Sequence, residues 1–147
     1  MIRITTDPFD PGAEANRFQA ESHGAGAMVS FTGLVRSTPD HPIAALILEC
    51  YPALAENEIA ALRETAMARF GLLDAAIIHR YGRLVPGEII MAVFTLASHR
   101  QAAFEGAQYL MDYLKTDAPF WKQEETASGL HWVEPHARDD AARARWA

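Results

Sequence analysis

Hydrophobic and polar positions change period several times along the chain, and each change marks an element. "IRIT" near the start reads as a strand. In "FDPGAEANRFQAE", Asp10 is placed to cap a helix and Pro11 occupies its first position, where the missing N–H is no loss. "AMVSFTGLVR" alternates and is rich in β-formers, which predicts a strand ending near Arg36. "STPDHP" reads as a loop and "IAALILECY" as a buried strand. Pro52 opens a helix that runs through Phe70 and closes at Gly71. "AAIIHRYG" and "EIIMAVFTLAS" are strands joined through "RLVPG", whose Pro-Gly is a strong turn signal. The second of these is almost wholly apolar, which places it centrally in its sheet.

A further helix follows. Ser98 and Gln101 have capping-box spacing, which makes Ser98 the N-cap and His99 and Arg100 the first helical residues. Phe104, Ala107, Met111 and Leu114 then trace an apolar helical stripe. Ala118 precedes Pro119 and is steered away from helical geometry, so the helix ends near Thr116. "FWKQEET" and "LHWVE" read as two last strands, and "ARDDAARARWA" as a polar tail or short helix. This order predicts an α+β fold with a mainly antiparallel sheet, in a single domain over residues 1–147.

Composition narrows the function classes. Half of the 147 residues are hydrophobic, enough for one good core. A net charge of -6 argues against a nucleic-acid binder, so any basic site is local. The longest apolar run, Ile89 to Ala97, is too short to span a membrane, and the start lacks the apolar core of a signal peptide. With one cysteine, Cys50, no intrachain disulfide can form. A soluble, cytoplasmic protein is expected. Cys50 lies in an apolar strand, which favours a buried structural thiol over a nucleophile. The six histidines show no metal-ligand spacing, and "GAG" at residues 24–26 is no phosphate loop.

The chemistry-bearing candidates are cationic. His99 and Arg100 sit at a helix N-terminus, where free N–H groups and the dipole favour an anion; Arg100 read alone could equally be a surface residue. Lys115 either complements the helix dipole or turns an amine into a pocket. If residues 120–124 are extended, Phe120, Lys122 and Glu124 share one face, which would hold the amine in place; the plainer reading is a strand lysine pointing at water. Arg36 ends an apolar strand, and Gly33 before it marks a bulge or a close backbone approach. These residues reach an α+β domain with a cationic cluster for a small anion. They do not reach a reaction.

"FTGLVR", "LECYP", "IHRYGRLVPGE", "SHRQAAFEGAQYLMDYLKTDAPFWKQE" and "HWVE" together resemble the catalytic large subunit of molybdopterin synthase, from about residue 8 to Trp146. The resemblance implies an α+β hammerhead fold and a sulfurtransferase. Its substrate would be cyclic pyranopterin monophosphate, which receives two sulfurs to become the dithiolene of molybdopterin. The sulfur would come from a C-terminal Gly-Gly thiocarboxylate on a small ubiquitin-like partner subunit, in a heterotetramer built on a central homodimer. No metal and no resident cofactor are implied. A chain whose single cysteine reads as buried suits an external sulfur carrier.

Carried over by residue, the resemblance makes Lys115 the essential lysine and Lys122 a second active-site lysine, with Arg36, His99 and Arg100 lining the same site. The family pattern can carry an arginine shortly after "WVE". Here that position is His136, and Arg138 two residues on could replace it. Clustered positive charge disfavours a protonated lysine and so tunes such a site for proton transfer. The 16 residues from His99 to Lys115 span about 24 Å of helix, too far for one small pterin. A two-fold dimer would solve this, with Lys115, Lys122 and Arg36 from one chain and His99 and Arg100 from the other. Two other classes compete: a non-catalytic module that binds ubiquitin-like tails, and an enzyme acting on some other small anion such as a nucleotide or sugar phosphate.

Overall fold

The structure, a computed structural model, describes residues 1–21, 24–134 and 137–147. Its elements in chain order are β1 (Ile2–Thr5), α1 (Pro11–Ala20), β2 (Ala27–Leu34), β3 (Ala45–Glu49), α2 (Pro52–Phe70) and β4 (Asp74–Arg80). There follow β5 (Gly82–Leu84), β6 (Ile89–Ala97), α3 (Arg100–Leu114), β7 (Trp121–Thr126), β8 (Gly129–Trp132) and α4 (Ala137–Ala144). They form two four-stranded sheets, ordered β1-β4-β6-β2 and β5-β3-β7-β8. The β1–β4 pair is parallel and every other pairing is antiparallel. The fold is α+β and mainly antiparallel, as the chain pattern predicts.

The apolar run of β6 follows from its place between β4 and β2, with both faces covered. On one face, Ala75 and Ile77 of β4 and Met91, Val93 and Ala97 of β6 pack against Ile59 and Ala66 of α2 and Ala103 and Leu110 of α3. On the other, Ala76, Ile78, Ala92 and Phe94 meet Phe9, Ala15 and Phe18. The second sheet has a smaller core of Val35, Ile43, Leu48 and Leu84. Helix ends follow local chemistry. Asp10 accepts hydrogen bonds from the Gly12 and Ala13 amides at 2.9 and 3.2 Å, and Gly71 closes α2 with φ of 63°.

Four expectations need correction. The segment read as a simple connection carries β5, because Gly82–Leu84 leaves the first sheet and pairs with β3 of the second. The N-cap of α3 is His99, without a side-chain bond, and Gln101 donates to Glu105 at 2.9 Å, so no capping box forms. Phe104 lies 62% exposed, while Ala103, Gly106, Ala107 and Leu110 are buried. The face of α3 is set by Gly106: a Cβ there would stand 2.8 Å from Leu72 Cδ1, so only the small-residue side can approach Leu72. The end of the chain is more than a polar tail. Trp146 packs on Phe70 and Tyr109 at ring distances of 5.4 and 5.5 Å, and its indole donates to Asp112 at 2.6 Å. Among the described residues, no helix is long and apolar enough to cross a membrane.

Candidate functional site

A cavity of about 570 Å³ opens where the two sheets meet the end of α3. The first sheet supplies His79 and Met91, opposite one another in register, with Gly33 opposite Met91 on the other side. Gly33 precedes a register shift in β2, and a Cβ on it would lie 3.2 Å from Met91 Cγ. Both expectations for this glycine, bulge and close approach, hold. The second sheet supplies Leu46, Leu48 and Lys122, the last paired with Leu48. Met111, Leu114, Lys115 and Thr116 come from the end of α3, and Arg138 and Asp139 from α4.

Lys115 and Lys122 are the two lysines of the chain, and both line this cavity. Chain geometry brings them together. Lys115 is the C-cap of α3, its amide bonded to the Met111 carbonyl at 3.0 Å. Pro119 ends the helical region, and Phe120 donates from its amide to the Ala118 carbonyl at 2.8 Å, which turns the chain into β7. Lys122 then lies within the antiparallel ladder rather than in open solvent. Burial, followed by the charge of Lys115, lowers its pKa from 10.5 to about 8, and Asp139 opposes the drop. Glu124 does not hold Lys122 as the shared-face reading suggested. Its carboxylate meets His41 Nε2 at 2.8 Å instead.

Arg138 joins the two lysines in the cavity. Arg36, His99 and Arg100 do not line it. Arg36 is exposed just beyond β2, and His99 and Arg100 are exposed at the opposite end of α3 from Lys115. His136 lies outside the described residues.

The fold and the paired lysines can now be set against known proteins. The family model described as MoaE protein matches residues 4–117. The chain belongs to the MoaE protein family. The molybdopterin synthase catalytic subunit of Cereibacter sphaeroides is 50% identical to it, with 99% of each chain covered. That of Pseudomonas aeruginosa is 46% identical over 99% of this chain and 97% of its own length. Among solved structures, the molybdopterin biosynthesis MoaE protein of Burkholderia ambifaria superposes with a TM-score of 0.84 at 46% identity, covering 99% of this chain and 97% of that one. The family resemblance read from the sequence motifs is borne out.

Within this MoaE-family site, several lining residues carry no sequence motif. His79 is 7% exposed, and burial takes its pKa from 6.5 down to about 4. The nearby Lys122 and Lys115 push the same way, against a hydrogen bond to the Arg80 carbonyl. Its one sequence signal was a histidine inside a strand otherwise suited to burial. Glu134, Asp139, Phe31 and Trp132 also line the cavity. Cys50 does not, although it is half-buried rather than fully enclosed, and burial pushes its thiol up. A raised thiol pKa leaves little thiolate, which suits a bystander better than a sulfur carrier.

Proposed function

We propose that this chain is the catalytic subunit of molybdopterin synthase, a sulfurtransferase that converts cyclic pyranopterin monophosphate to molybdopterin. The observation that carries the reading is the convergence of both lysines in one cavity, with the pKa of Lys122 near 8. The two sulfurs arrive as the C-terminal thiocarboxylate of a small ubiquitin-like subunit. Each sulfur forms a C–S bond to the pterin side chain, and hydrolysis of the resulting thioester frees the carrier as a carboxylate. Protons must move at each step. Lys115 acts as general acid or base beside the attacked carbon. Lys122 and Arg138 hold the carrier's carboxylate and the substrate's anionic groups. At pH 7 a lysine with pKa about 8 is neutral in roughly one molecule in ten, so Lys122 can also accept a proton.

Exposed apolar side chains stand at the cavity, with Phe31 40%, Leu34 58%, Trp121 46% and Trp132 62% exposed. Such a cluster offers a landing surface for the carrier's tail. The chain's single cysteine is free and no disulfide forms, which suits the reducing cytoplasm, the compartment assigned here. Arg36, His99 and Arg100 enter through the homodimer: His99 and Arg100 of one chain bind the phosphate end of a substrate seated against Lys115 of the other. This follows from α3, whose 15 residues separate its ends by about 22 Å.

The test is conversion of the cyclic pyranopterin by the chain together with its thiocarboxylated carrier. Dithiolene product, absent with a carrier ending in an ordinary carboxylate, is expected. Tight carrier binding with no product would leave a tail-binding module. The shared site is checked with a mixed dimer of Lys115→Ala and Arg100→Ala chains, each inactive alone. One pocket carries both lesions and the other neither, so about half the wild-type activity should return for independent pockets. No recovery in a folded heterodimer would place the phosphate site elsewhere.

A further inference from the structure

We infer that His79 is a positioning residue of this site, a neutral imidazole that offers its Nε2 lone pair to the ammonium of Lys122. The ring is fixed by two contacts. It stacks on Phe120 with centroids 4.0 Å apart and planes 15° from parallel. Its Nδ1 lies 2.8 Å from the Arg80 carbonyl. A carbonyl can only accept, so the hydrogen sits on Nδ1 and Nε2 carries the free lone pair. With Nδ1 committed to the backbone, Nε2 is the nitrogen left for the cavity that His79 and Lys122 both line.

Magnitudes decide between holding and relaying a proton. The two pKa values, about 4 for His79 and about 8 for Lys122, stand about four apart. His79 would therefore take the proton from Lys122 in roughly one case in 10⁴. It orients the amine and does not relay. The other charged groups lining the cavity are Lys115 at the end of α3, Glu134 after β8, and Arg138 and Asp139 on α4. Asp139 favours the ammonium and Lys115 opposes it. A neutral acceptor steadies the ammonium without adding charge to this balance, so its loss lowers the Lys122 pKa further.

His79's place in catalysis rests on the sulfur-transfer reading above, whereas its effect on Lys122 does not. The experiment uses both. Lysine labelled with ¹³C at Cε gives two signals in this chain, assigned with Lys115→Arg. His79→Phe keeps an aromatic ring for stacking on Phe120 and removes the lone pair. His79→Gln restores an acceptor near the position of Nε2. In the folded Phe variant the Lys122 titration should move below its wild-type midpoint, with kcat down about tenfold and KM for the pterin within about twofold. The Gln variant should recover part of both. A titration unmoved in folded His79→Phe overturns the inference, and so does wild-type kcat at any titration midpoint. If His79→Phe does not fold, His79→Asn, whose polar group stops short of Nε2, is read by the same criteria. Failure of the wild-type chain to convert the pterin would strike the proposed function and leave the titration result standing.

Discussion

Replacing Lys122 with methionine should stabilise the protein while abolishing its activity. The folded state holds Lys122 at a pKa of about 8, against 10.5 for an unperturbed lysine. Below pH 8 both states bind the proton, but the folded state binds it less tightly. Between pH 8 and 10.5 the unfolded chain keeps the proton that the folded chain has released, so stability rises with pH through that window. The difference of about 2.5 corresponds to a penalty of about 3 kcal/mol, present in full at pH 7 and relieved by pH 10.5. Lys122→Met removes the charge, keeps an unbranched side chain and buries it among Leu46 and Leu48. It should be more stable than wild type by up to about 3 kcal/mol at pH 7. The gap should close as pH rises toward 10. The assay is urea unfolding of both proteins at several pH values between 7 and 10. Tyr109 and Cys50 ionise in both proteins, so taking the difference between the two curves removes their contribution. A mutant less stable at pH 7, or a stability gap that does not change with pH, would refute a desolvated Lys122.

Lys115→Ala should eliminate pterin sulfuration yet cost only about 0.3–1 kcal/mol of stability, since a helix-end lysine contributes little beyond its dipole interaction; near-normal turnover by the folded variant would remove Lys115 from the chemistry. Trp146→Phe keeps a ring against Phe70 and Tyr109 but deletes the 2.6 Å bond to the buried Asp112 carboxylate. Asp112 retains Gln108 at 2.8 Å and Arg145 at 3.3 Å, so thermal or urea unfolding should show a loss of about 1.5–3 kcal/mol, nearer the lower figure.

Elements governed by local chemistry were legible. Asp10 and Pro11 start α1, Gly71 ends α2, and the unbroken apolar run of β6 announces an interior strand. What stayed hidden depends on partners far along the chain. The buried face of α3 is chosen by Leu72 against Gly106, a contact no helical period encodes, and a stripe drawn through Phe104 is equally periodic. The three residues of β5 are too short for a pattern of their own. Their strand character comes from pairing with β3.

The site shows the same limit more sharply. Taken alone, Lys115 has a sufficient explanation in the helix dipole and Lys122 in a strand edge. What distinguishes them is that β7 pairs with β3, setting Lys122 opposite Leu48 and facing the end of α3. Burial is then the largest cause of the lowered Lys122 pKa, ahead of the neighbouring Lys115 charge. Clustered charge, which sequence motifs can suggest, is therefore the smaller part of what tunes this amine. Desolvation is the larger part, and it exists only once Leu46, Leu48, Met91 and Leu114 close around it. A chain that kept both lysines but lost this apolar enclosure would present two ordinary ammonium groups. It would keep its attraction for an anion while losing the partly neutral amine that proton transfer requires.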